Sequence, residues 1–121
     1  MKERQRNTYR AGLWAEIIAA LYLFFKGYRL LAWRYKSPVG EIDLIGLSKG
    51  VLVFVEVKQR ATLDDGLLSI TPHMKGRIGA AAKSWIARNP RFNGHPMRFD
   101  VIAITLPFSI RHMDNAWQGA P

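Results

Sequence analysis

Residues Val39–Arg60 read VGEIDLIGLSKGVLVFVEVKQR. Gly40 to Leu47 is rich in Ile and Leu, Val51 to Lys58 is mostly Val, Leu and Phe, and Ser48-Lys49-Gly50 interrupts the two runs. Short apolar runs with β-branched residues around a Gly-containing break predict a β-hairpin. With Lys49-Gly50 as a two-residue loop, Ser48 faces Val51, and the same register sets Asp43 opposite Glu56 and Glu41 opposite Lys58. Directly opposed side chains stand roughly 5 Å apart at Cβ, where like charges destabilise the pair. Two carboxylates in otherwise apolar strands therefore need a compensating partner. Glu56 and Lys58 share a face because strand side chains alternate, so a divalent cation together with this lysine would resolve the conflict. A three-residue loop would shift the register by one and put Asp43 and Glu56 on opposite faces.

Asp43, followed one strand later by Glu56-Val57-Lys58, resembles the PD-(D/E)XK active site of the restriction-endonuclease-like nucleases. The longer pattern is more specific: Gly12-x-x-Ala15-Glu16, Gly27-Tyr28, Gly40-Glu41-Ile42-Asp43-Leu44-Ile45 and Val53-Phe54-Val55-Glu56-Val57-Lys58-x-Arg60. It is similar to the small bacterial YraN family, itself related to archaeal Holliday junction resolvases, and the resemblance covers about residues 8 to 106. It implies an α/β fold with a restriction-endonuclease-like αβββαβ core, a mixed central sheet flanked by helices. It also implies a metal-dependent nuclease hydrolysing phosphodiester bonds in DNA, of branched or structured form. Asp43, Glu56 and the carbonyl of Val57 would then hold Mg²⁺ or Mn²⁺ through hard oxygens, and Lys58 would orient or help deprotonate the attacking water. Glu41 would pair with Lys58 or another nearby base.

Composition sets the bounds. A chain of 121 residues, 49% hydrophobic, is expected to form one domain over residues 8–121 behind a flexible basic segment, 1–7. There is no cysteine, which excludes disulfides and thiolate metal sites and fits a cytoplasmic protein. Eighteen Lys and Arg against nine Asp and Glu give a net charge of +9, which calls for a polyanionic partner. With the motif, that partner is expected to be nucleic acid, DNA before RNA, and not a membrane. The resolvase likeness implies a homodimer, although no self-complementary patch is legible.

Upstream of the hairpin, Thr8 is a plausible N-cap for a helix from about Tyr9 to Lys26, stopped by Gly27. Its run Ile17 to Phe25, behind basic residues, superficially resembles a signal peptide, but it is too short to span a bilayer and is followed by Lys26-Gly27-Tyr28-Arg29 in place of a cleavage site. Trp14, Ile17, Ile18, Leu21 and Phe25 recur at helical spacing and are the expected core stripe. Glu16 has no basic residue one turn away. On its own it reads as a solvated helix glutamate; the Ala-Glu match in the resemblance makes it a third acidic group of the site. Tyr28 to Tyr35 is the expected first strand, and its Arg29, Trp33, Arg34 and Tyr35 mix cations with aromatics, suited to phosphates and exposed bases or simply to packing and a solvated face.

Downstream, Gln59 to Ile70 has no sustained period and is expected to be a loop, with Asp64 and Asp65 as surface turn acids. Gln59 and Arg60, beside Lys58, are candidates for substrate contact. Thr71-Pro72 opens a helix that Asn89-Pro90 ends, with Met74, Ile78, Ala81, Ala82, Trp85 and Ile86 inward. Lys75 and Arg77, with Arg34 from the first strand, complete the expected nucleic-acid contacts. Pro96 to Leu106 reads as a strand in which Asp100 pairs with a base such as Arg98, and the tail adds a short edge strand anchored by Trp117. His73 is a lone histidine with no second one at ligand spacing and takes no role, and His112 is expected to stand alone at the surface.

Two other classes stay open on these residues. A structural salt-bridge cluster across a hairpin also gathers such groups. A nucleic-acid-binding module that cleaves nothing, or a scaffold protein, could carry the same fold.

Overall fold

The computed structural model describes residues 3–105 and 109–118, with residues 3–11 as backbone only. The elements are α1 (Glu3–Phe25), β1 (Arg29–Ser37), β2 (Gly40–Ser48), β3 (Val51–Gln59), α2 (Leu63–Leu68), α3 (Pro72–Arg88), a 3₁₀ turn (Pro90–Phe92), β4 (Met97–Thr105) and β5 (Ser109–Trp117). They build the expected αβββαβ arrangement with an additional strand. One five-stranded sheet runs in the order β1-β2-β3-β4-β5, parallel between β3 and β4 and antiparallel elsewhere. The β3–α3–β4 crossover supplies the parallel pair, which a short turn cannot do.

The hairpin is built as the sequence dictates. Lys49 and Gly50 both take positive φ, 50° and 80°, which a two-residue turn needs to match the strand twist. Ser48 pairs with Val51 and the ladder continues to Leu44↔Val55. Strand alternation then divides the core in two. Phe54, Phe99 and Val101 pack with Ile78, Ala81 and Trp85 of α3. Val53, Val55 and Ile102 pack with Ala15, Ala19 and Leu23 of α1. Both faces of β3 and β4 are covered, so these strands lack a polar side.

Several expectations are corrected. α1 begins at Glu3, so Thr8 lies inside it and is not its cap. Its core stripe is not the bulky one. Trp14 is 60% and Phe25 80% exposed and Leu21 also faces out, while Ala15, Glu16, Ala19 and Leu23 are buried. Apolar residues surround this helix on nearly every side, so periodicity does not select a face. The alanines win because they let the helix lie close against β3. The stretch after Lys58 is not a continuous loop, since Thr62 caps a short α2 by accepting the Asp65 N–H at 3.0 Å. Gly66 is buried there, where an added Cβ would stand 3.2 Å from that of Ala103. His112 is not a lone surface residue: it is buried against Asp100. α3, by contrast, starts and stops as expected, with Thr71 accepting the Met74 N–H at 3.1 Å. No helix among the described residues is long and apolar enough to cross a membrane.

Candidate active site

The sheet opens at one row. β1 and β2 pair at Trp33↔Leu44 and Tyr35↔Ile42, which sets Arg34 beside Asp43, yet neither belongs to a paired position. Arg34 has φ 53°, a left-handed conformation unusual inside a strand. On the other side, the β2–β3 ladder ends at Leu44↔Val55, one step short of Asp43 and Glu56. There the Asp43 side chain takes over from the backbone: its Oδ2 accepts the Val57 N–H at 2.8 Å. Gly40 permits this end of β2 to touch α3, for an added Cβ would meet the Arg77 backbone.

Asp43 and Glu56 share one face of the hairpin, as its register requires, and line the same cavity close enough for each carboxyl to act on the other. Two carboxylates cannot share a hydrogen bond unless one keeps its proton. Burial, the bond to Asp43 and the Asp43 charge push the Glu56 carboxyl up to about 9; Glu16 adds to the rise and Lys58 opposes it. The pair faces a cavity of about 460 Å³ that Glu16, Glu41, Val57, Lys58, Gln59 and Arg77 also line. A smaller cavity of about 230 Å³ adjoins it, sharing Glu16, Glu41 and Asp43 and adding Arg34 and Lys36.

The chain belongs to the UPF0102 family. The model described as "Uncharacterised protein family UPF0102", the YraN family of the motif, matches residues 15–104. Among its relatives is a UPF0102 protein of Rhodopseudomonas palustris (strain BisB18), 42% identical over 94% of this chain and 84% of the relative. UPF0102 protein BRADO0179 of Bradyrhizobium sp. (strain ORS 278) is 43% identical over 94% of this chain and 81% of its own length. UPF0102 protein bll0669 of Bradyrhizobium diazoefficiens is 44% identical over 88% and 80%. The matched region of the family model contains Glu16, Asp43, Glu56 and Lys58.

The other expected site residues divide. Glu16 lines the same cavity but its carboxylate is taken by Arg34, through Nε at 3.0 Å and Nη2 at 2.9 Å. Among the described residues, no three acidic or histidine side chains stand close enough as they lie to hold a metal ion between them. Glu41 makes no ion pair with Lys58; its cross-strand neighbour is Lys36. Gln59 and Arg77 line the larger cavity. Arg60 instead donates to the Gln59 carbonyl at 2.8 Å, and Lys75 sits 5.8 Å over the Trp117 ring, outside the cavity. Sequence reasoning missed the Glu16–Arg34 pair because its partners lie on different elements, and helical spacing tests only neighbours on one helix. The backbone twist that aims Arg34 leaves no mark in residue type.

Proposed function

We propose that this UPF0102 protein is a metal-dependent nuclease acting on DNA, with Asp43 and Glu56 at its centre. The observation that carries the reading is the carboxyl pair itself: two half-buried acids on one face of the hairpin, lining one cavity, with the Glu56 carboxyl pushed well above its ordinary range by burial and by Asp43. Structural acids are normally satisfied by bases or backbone donors, whereas clustered, strongly perturbed carboxyls mark working sites. The donor set fits a hard divalent cation, Mg²⁺ or Mn²⁺, exchanged for the shared proton. Asp43, Glu56 and the Val57 carbonyl are the residues that would hold it, with Glu16 as a further acidic group of the site. When bound, the ion supplies Lewis-acid chemistry at a phosphoryl oxygen.

The remaining work falls to the chain. Lys58 lies near enough to the pair to oppose the rise of Glu56, so its ammonium can orient the attacking water and offset charge on the phosphate. Arg77 and Gln59 border the cavity where a backbone phosphate would approach. The surplus of nine positive charges gives the affinity for a polyanion, and binding should weaken steeply with salt.

A panel of junction, flap, single-stranded and duplex DNA, incubated with Mg²⁺, Mn²⁺ or EDTA, tests this reading. Cutting is expected with metal, absent with EDTA and lost in Asp43→Asn. Cutting retained by that variant would point to a contaminant. The engagement of Glu16 by Arg34 favours a second reading, a binding module that holds DNA without cleaving it; absence of cutting on every substrate, with salt-sensitive binding intact, would select it.

A further inference from the structure

We infer that the substrate reaches the acid pair as a single strand, with a base stacked on Trp33. This rests on the nuclease reading for the strand's destination, and on separate observations for its path. The two adjoining cavities share Glu16, Glu41 and Asp43, so together they form one groove with the acids in the middle. Basic side chains line both parts: Lys36 in the smaller, beside the Glu16-bound Arg34, and Arg77 in the larger, with Lys58 near the acids. Successive phosphates of a strand can lie against Lys36 and Arg77 while the phosphate between them meets the acid pair.

Trp33 lines neither cavity but stands beside Arg34, which lines the smaller one. The Arg34 guanidinium lies 5.4 Å from the Trp33 ring centre and also bonds both Glu16 oxygens, so one group touches the indole and the pocket acid together. The ring is 52% exposed although it is a large apolar side chain, and β1 is an edge strand with no further strand beside it among the described residues. A cation held against an aromatic face beside a phosphate-sized groove is the arrangement that stacks unpaired bases. A base can stack on a protein ring only when it has left its own neighbours, which a single strand allows and an intact duplex resists. Trp33 is therefore a specificity residue that selects unpaired DNA, and Arg34 positions both it and Glu16.

Fluorescence anisotropy with a dye-labelled oligodeoxythymidine 12-mer and a 12-base-pair duplex, in EDTA so that nothing is cut, tests the path. The single strand is expected to bind the wild-type protein more tightly than the duplex. Trp33→Ala should weaken single-strand binding about tenfold and Trp33→Phe should restore most of it. Trp14→Ala, which removes a similarly exposed indole carried by α1 and not by β1, should change nothing. Equal binding by wild type and Trp33→Ala, a duplex bound as tightly as the strand, or an equal loss in Trp14→Ala would overturn the inference. Metal-dependent cutting with unaltered Trp33→Ala binding would leave the nuclease standing and the path refuted; Trp33-dependent binding without cutting would do the reverse.

Discussion

A buried acid and a half-buried acid pair stand one row apart on the same sheet, and they are treated in opposite ways. Val55 pairs with Asp100 and Glu56 with Val101, so by alternation Asp100 faces the α1 layer and Glu56 the α3 layer. Asp100 has no exposed surface and wants for nothing. Arg98 grips it through Nε at 2.9 Å and Nη2 at 3.1 Å, His112 Nε2 lies at 2.8 Å, and the Asn115 N–H reaches it at 2.9 Å. β5 bulges there, with Asn115 at φ 51° to aim that N–H. Burial alone would raise the Asp100 carboxyl; the bonds from His112, Arg98 and Asn115 outweigh it and hold it below the ordinary range. Glu56 receives one carboxyl and a nearby ammonium, and is driven the other way. A fold that can satisfy one acid so fully leaves the other in deficit where a cavity opens. On the proposed reading, that contrast separates an acid that holds the structure from a pair that would take a cation.

The largest effect should come from the satisfied site. Asp100→Ala leaves the Arg98 guanidinium and the ring of His112 without their anion, and should cost about 3 to 5 kcal/mol of stability. Urea unfolding measures it; a loss below about 1 kcal/mol would erase the distinction. Next comes the strained pair. The folded protein keeps a proton on Glu56 from its ordinary 4.5 up to about 9, a range in which the unfolded chain has released it. The folded state thus binds more protons there, and this group's contribution to stability must fall as pH rises through that window. Glu56→Gln keeps a hydrogen-bond donor for Asp43 and removes the titration. It should therefore be more stable than wild type by a few kcal/mol at pH 8, with the gain shrinking toward pH 5. Denaturation at both pH values reads the sign, and a variant less stable at pH 8 would contradict the deficit.

The smallest effect lies between the two sites in character. Arg34 pays for its contact with Glu16 in backbone strain. Arg34→Ala loses the ion pair and keeps the strain, whereas Arg34→Gly loses both. The glycine variant should therefore be more stable than the alanine variant by about 0.5 to 1 kcal/mol. The reverse order in thermal unfolding would show that the left-handed backbone at this position carries no strain.

Much of this contrast was legible beforehand, for identifiable reasons. Lys49-Gly50 fixes the turn, the turn fixes the register, and that register aims Asp43 toward Glu56 one step past the last ladder pair. Thr71-Pro72 and Asn89-Pro90 bound α3 because caps are local chemistry. The pairing of Arg98 with Asp100 follows from two residues on one side of one strand. What escaped depends on contacts between distant elements. His112 meets Asp100 only because β5 folds back beside β4, and its Nδ1 then faces Tyr22 and Lys26 of the α1 end. The burial of Ala15 and Ala19 in place of Trp14 and Leu21 depends on how close α1 can come to β3, which bulk and periodicity do not report.

The most direct test of the deficit is titration calorimetry of Mn²⁺ into the protein at pH 7 in two buffers of different ionisation enthalpy. If the ion replaces the proton that Asp43 and Glu56 share, about one proton should leave per ion bound, and both binding and proton release should vanish in Asp43→Asn. Binding that releases no proton, or that survives in Asp43→Asn unchanged, would contradict the account.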